Sequence, residues 1–247
     1  MNRAFSLVEL SIVLVILGLL TGGILGGQSL IRAAELRQGI TRFSQYHGAL
    51  YTFRDKYFAL PGDMTNATAF WGSAGGTGGD TTCIDAQTTA QATCNGNGDG
   101  RMLYIGSSYN NDMERFLAWK HLANAGLVEG SYTGKTTGAS GTYEVIPGTN
   151  VPPAKVANGH FDLNYAWPNP AVFNPVSRTD NNAIALYGPV STQEAWNIDT
   201  KLDDGSPFRG QMFTLNFTIG PCAISADADA AFNLTATGGL CHLFYVM

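Results

Sequence analysis

Between Phe5 and Arg32 the chain carries a single ionisable side chain, Glu9, in a stretch dominated by Leu, Ile, Val and Gly. A segment apolar on every side has no face to offer water, so it must be covered by lipid or by other protein. A helix rising 1.5 Å per residue needs about 20 apolar residues to cross a bilayer. Residues 5–25 supply that length. The carboxylate is the exception. At membrane depth an ionised group costs about 2.5 to 3.5 kcal/mol, and it is tolerated where a partner offsets the cost.

Two ordinary readings of such an N-terminus leave something over. A secretory signal has a basic start, about 7 to 15 apolar residues and a small-residue cleavage site behind them. Arg3 provides the basic start, but the apolar run is too long and contains Glu9. A plain transmembrane anchor accounts for the length and leaves Glu9 without a purpose.

Residues 4–16, Ala-Phe-Ser-Leu-Val-Glu-Leu-Ser-Ile-Val-Leu-Val-Ile, resemble the class III signal of type IV pilins and type II secretion pseudopilins. The resemblance implies that a prepilin peptidase cuts between Ala4 and Phe5 and methylates the Phe5 amino group, leaving the apolar helix attached. Ala4 stands where the family usually has Gly. Glu9 becomes the fifth mature residue, and its implied role is assembly, pairing with the Phe5 ammonium of a neighbouring subunit. Physical logic agrees, because each charge would otherwise be buried alone.

Behind the apolar run the pattern becomes amphipathic. Leu36, Ile40, Phe43, His47, Leu50 and Tyr57 recur at helical spacing, while Arg32, Arg37, Arg42, Arg54 and Lys56 take other faces. One helix is expected from about residue 6 to about residue 58, ended by the Leu60-Pro61-Gly62-Asp63 turn. Gly18, Gly22, Gly23, Gly26 and Gly27 weaken it by about 1 kcal/mol each relative to Ala. Gly18 with Gly22, and Gly22 with Gly26, form small-xxx-small pairs that let helices approach closely. Residues 22–27 also offer a point at which the helix can melt, as pilins of this family do on assembly.

The remainder reads as a mainly β head. Strands are expected at residues 142–146, 161–167, 183–187, 212–219 and 241–246, and short helices at 112–125 and 194–202. The fold class is therefore α+β and pilin-like, a long N-terminal helix packed by its second half on an antiparallel sheet. The organisation is a leader at 1–4, a transmembrane or filament-core helix at 5–28, its amphipathic continuation at 29–60 and the head at 61–247. The stretches 58–64, 94–100 and 198–205 resemble those of large bacterial pilin-like proteins.

Composition narrows the function. Lys and Arg number 14 against 19 Asp and Glu, for a net charge of −5, with no basic cluster, so nucleic acid is not an expected partner. Four cysteines fall as two local pairs, Cys83 with Cys94 and Cys222 with Cys241, which suits disulfides in an oxidising compartment. Zinc is disfavoured by the absence of CxxC and the scatter of His47, His121, His160 and His242. Gly134-Lys135-Thr136 lacks the preceding Gly of a phosphate loop, and no G-x-S-x-G occurs, so no catalytic residue is expected. Asp203 and Asp204, beside Gly205-Ser206-Pro207, read as a helix end and turn.

No cofactor is called for, with one open case. Asn95, Asn97 and Asp99 place oxygen ligands at alternate positions, as at the start of a calcium loop, although position twelve is Gly106 where that loop has Glu. A Gly- and Asn-rich turn anchored by Cys94 explains the same residues, and Asp80 or Asp85 are the candidates to complete a site.

The expected function is a structural subunit of a type IV pilus-like extracellular filament serving adhesion or motility. Its partners are copies of itself, prepilin peptidase, the pilus or secretion assembly machinery and, before assembly, the bacterial inner membrane. A pseudopilin of a type II secretion or DNA-uptake machine, in a periplasmic pseudopilus, is the alternative with the same fold. A membrane-anchored periplasmic binding protein or enzyme is the alternative of another class, and Glu9 with the cleavage motif counts against it.

Overall fold

The computed structural model describes residues 7–74, 90–102, 113–135, 144–166, 181–215, 222–224, 229–236, 238 and 241–247. Helix α1, Leu7–Tyr57, is continuous over 51 residues, or about 76 Å. It runs unbroken through the glycines at 22–27. It ends where Phe58 adopts φ 53° and its N–H closes back on the Arg54 carbonyl at 2.8 Å, a left-handed C-terminal cap just ahead of Pro61.

The second half of α1 is the spine of the head. Gly39, Phe43, Tyr46, Leu50 and Phe53 are buried at steps of four, three, four and three residues, the spacing of one helix face. Gly39 gives close packing there: a Cβ would lie 3.1 Å from Val156 Cγ2 on the 3-10 turn Val156–Asn158 and would push that side chain aside. Phe43 meets Phe161 edge-on with ring centroids 5.2 Å apart, and Tyr46 meets Trp119 at 4.9 Å. Full burial of side chains such as Phe43, Leu50 and Phe53 contributes about 1.5 to 3 kcal/mol each.

Among the described residues, four strands complete the core: β1 His160–Ala166, β2 Asn181–Val190, β3 Met212–Leu215 and β4 Cys241–Val246. They pair antiparallel in the order β1-β2-β4-β3, so the C-terminal strand is central. Alternation sorts their faces. Phe161, Leu163, Ile184, Leu186, Leu243 and Met212 join the main core with α1, whereas Ala183, Ala185 and Phe244 form a second cluster with Tyr187 and Phe213. The β2–β4 register shifts between Leu186 and Val190, across Gly188-Pro189, residues that ladders exclude from their interior.

Among the described residues, three more helices flank this core: α2 Ala67–Trp71, α3 Met113–Asn124 and α4 Thr192–Leu202. Helix α4 starts with a capping box in which Ser191 accepts from the Glu194 N–H and Glu194 from the Ser191 N–H, satisfying two otherwise open donors. The α+β layout expected from the sequence is the one observed. One expected strand, 142–146, is not seen in its described part: Glu144 to Ile146 are irregular, with an isolated bridge between Pro147 and Val151 beyond them, and 142–143 lie outside the described residues. The reason is Asn150, whose side chain accepts from the Ile146 N–H and donates to the Glu144 and Lys135 carbonyls, taking groups that a neighbouring strand would have used.

Burial gives the head a stability that depends on pH. His160 stacks on Tyr187 at 5.2 Å, and burial, followed by the nearby Arg115 and His242, lowers it to about 4. The unfolded chain therefore takes up this proton below about pH 6.5 while the folded chain does not, so stability is lost as pH falls. We expect the unfolding free energy to decline between pH 6.5 and 4, and His160→Phe to make that decline shallower by up to about 1.4 kcal/mol per pH unit. Thermal unfolding of both proteins across this range checks it; parallel curves would contradict it.

Candidate functional site

The N-terminal half of α1 is the most unusual surface of the molecule. Every residue from 7 to 31 is exposed except the half-buried Gly27, and Leu19 and Leu30 are each 73% exposed. This half is long and apolar enough to cross a membrane. Its few hydroxyls are turned inward on the helix: Ser11 donates to the Val8 carbonyl, Thr21 to those of Leu17 and Gly18, and Ser29 to that of Gly26. Side chains bonded in this way need no water, which suits an apolar setting.

Among the described residues, the glycines here serve no contact within the chain. A Cβ added at Gly18, Gly22, Gly23, Gly26 or Gly27 would meet nothing within 4 Å. Glu9 lies in the first turns of this exposed half, where a negative charge also suits the helix N-terminus. Ala4 and Phe5 lie outside the described residues.

Arg32 marks the boundary between stem and head. Its Nη2 and Nε bond to Oε2 and Oε1 of Glu194, the former at 2.8 Å, and its Nη1 reaches Glu35 at 3.1 Å. Burial raises the Glu194 carboxyl, but the bonds from Arg32 and Ser191 outweigh it and hold the group below its usual range. The same carboxylate thus caps α4 and ties it to α1, a fork-on-fork contact that fixes angle as well as distance.

A second group of polar residues surrounds the Pro61-Gly62-Asp63 turn. Gly62, at φ +85°, has no room for a Cβ, which would fall 2.2 Å from the Glu114 carbonyl oxygen, and its N–H donates to His121 Nδ1 at 2.9 Å. His121 is fully buried, with Nε2 3.0 Å from Thr93 Oγ1, and burial lowers it to about 3. It is a neutral pin that holds the turn, residues 93–94 and α3 together.

The three residues expected to begin a calcium loop divide here. Asn95 Oδ1 accepts from the Thr68 N–H and Asn97 Oδ1 from the Asp99 N–H, so both side chains bind backbone amides. Asp99 instead joins Asp63 and Glu114, with one carboxylate oxygen from each within 4.8 Å of the others. Asp63 also accepts from the Asp99 and Gly100 N–H groups, and Glu114 from the Asn97 N–H. Three carboxylates in this arrangement have the chemistry of a hard-cation site. Asp80 and Asp85 lie outside the described residues. Asp63 and Glu114 carry no sequence signal as partners of Asp99, since only the folded chain brings the three together.

Comparison with family models, with curated proteins and with solved structures gives no match to this chain.

The expected pairing of Cys222 with Cys241 is present as a disulfide, and it attaches the central strand β4 to the segment at 222–224. Cys94 is also disulfide-bonded, while Cys83 lies outside the described residues. The Cys222–Cys241 link spans 19 residues, a closure that stabilises by about 3 kcal/mol through chain entropy. Replacing both cysteines by Ser should lower the stability of the head by about that amount in denaturant titration. An unchanged midpoint would show that the link contributes nothing.

Proposed function

We propose that this chain is a subunit of a type IV pilus-like filament, assembled through the exposed half of α1. The observation that carries the reading is the contrast along one continuous helix: residues 39–53 are buried at helical spacing in the head, whereas residues 7–26 are exposed and almost entirely apolar. A bilayer can cover the first half before assembly, and other copies of the same helix can cover it afterwards. Prepilin peptidase and the assembly machinery are the partners that this route requires.

The glycines support assembly over simple anchoring. Five helical glycines cost roughly 5 kcal/mol relative to Ala, and none supports a contact inside the chain. Between helices they allow close backbone approach, so a bundle of α1 copies recovers what the lone helix loses. A lipid anchor would recover nothing from them.

Glu9 completes the logic. In a bundle it sits one turn from the N-terminus, within reach of the Phe5 ammonium of an adjacent copy. We expect Glu9→Ala to insert in the membrane and fold its head normally, because the substitution removes a charge that is costly to a helix in lipid. It should reduce fibre assembly when it is the sole subunit. Wild-type fibre numbers from Glu9→Ala would refute the pairing.

A further inference from the structure

Apolar exposure does not stop where the stem enters the head. Leu30 and Ile31 are 73% and 63% exposed, and Arg32 follows them directly, so no spacer separates the apolar run from the head. Arg32 in turn binds Glu194 in the first turn of α4. A bilayer that covers the stem as far as Ile31 therefore has its headgroup layer at Arg32 and at the start of α4. The Arg32 charge suits that level, since Glu194 and Glu35 both pair with it and long basic side chains at the end of a span extend to the headgroups.

Three large apolar side chains are exposed around this end of α4. Trp196, 41% exposed, follows Glu194 by two residues, a rise of about 3 Å. Leu234, also 41% exposed, accepts at its carbonyl from the Gln193 side chain at 3.2 Å. Ile224, 65% exposed, is two residues from Cys222, whose disulfide partner Cys241 has its Sγ 3.7 Å from Oγ1 of Thr192, the first residue of α4. Apolar residues scattered singly over a surface need no explanation, but a group of them at one pole marks an interaction surface. A Trp among them suits a membrane–water boundary, where its ring sits among the headgroups and its N–H finds a polar partner.

We propose that this pole of the head docks on the lipid surface while the stem is embedded, with Trp196, Leu234 and Ile224 in the headgroup layer. That layer adds about 5 to 7 Å on each side of the hydrocarbon core, and one helical turn is about 5.4 Å, so the first turns of α4 fit within it. The stem itself selects lipid as the occupant, because it delivers the pole to the bilayer; a second copy would have to displace that lipid. The other end of the head stands clear. Tyr57 lies 25 residues beyond Arg32 on the same helix, or about 38 Å, and Trp71 packs on it with ring centroids 5.4 Å apart. Docking would hold the head at one angle to the membrane through the Arg32–Glu194 fork. The inference rests on the stem spanning the membrane, the state that precedes assembly in the filament reading.

Trp196 also provides the assay. The full chain is reconstituted in phosphatidylcholine vesicles whose acyl chains carry bromine close to the headgroup, a short-range quencher of tryptophan emission. The stem contains no Trp and Trp119 is fully buried, so neither supplies the signal. The chain should float with the vesicles and lose emission relative to unbrominated vesicles, and Trp196→Phe should float equally and abolish most of that loss. Ile224→Asp combined with Leu234→Asp should float as well and reduce the quenching of Trp196. All three positions are exposed, so the variants keep the fold, which circular dichroism verifies. Equal quenching of the parent and Trp196→Phe, or no quenching in a chain that floats, would overturn the docking and leave the embedded stem standing. Blue-shifted but unquenched Trp196 emission would place another protein surface on the pole and overturn it too. A chain that does not float would remove the embedded stem, and the docking with it.

Discussion

The difference in burial between the two halves of α1 governs everything else in this protein. Most of the stability of a helix in a protein comes from what its apolar face packs against. Its second half finds that partner in the sheet and in α3, through Phe43, Tyr46, Leu50 and Phe53. Its first half finds none in the same chain. The molecule is complete as a head and incomplete as a helix.

The head is built to hold the spine at a fixed angle. Arg32 binds Glu194 where the stem leaves the head, while His121 binds the turn that follows the other end of α1. Between them, Arg115 of α3 forms a buried pair with Asp162 of β1. Breaking such a pair from one side costs about 3 to 5 kcal/mol, because the other charge is stranded. These contacts are polar and directional, so they specify one docking of the helix where an apolar interface alone would permit sliding. Under the filament reading, that rigidity is what would let force on the head reach the helical core.

The helix was legible in the sequence because its signals are local. Apolar periodicity, the Pro61-Gly62 stop and the Asp203 to Pro207 turn after α4 each act within a few positions, and the observed bounds Leu7–Tyr57 and Thr192–Leu202 lie within about two residues of those expected. Strand β4 was legible for the same reason, from its strand composition and the turn-forming residues ahead of it. The segment at 144–146 has strand composition but loses its pairing to the side chain of Asn150, a competitor that composition does not reveal. The carboxylate clusters were illegible as clusters. Asp63 read as part of a helix stop and Asp203-Asp204 as a turn; both are true locally, and their convergence with Glu114 and with buried Asp199 exists only in three dimensions.

Under the filament reading, residues 5–28 form the core of a fibre. Electron microscopy of fibres sheared from cells, joined to mass spectrometry of their subunit, tests it most directly. The account predicts fibres containing this chain with Phe5 as the first residue and its nitrogen methylated. A mature chain beginning beyond Gly27, or fibres that lack the chain while it remains uncut in the membrane, would contradict it.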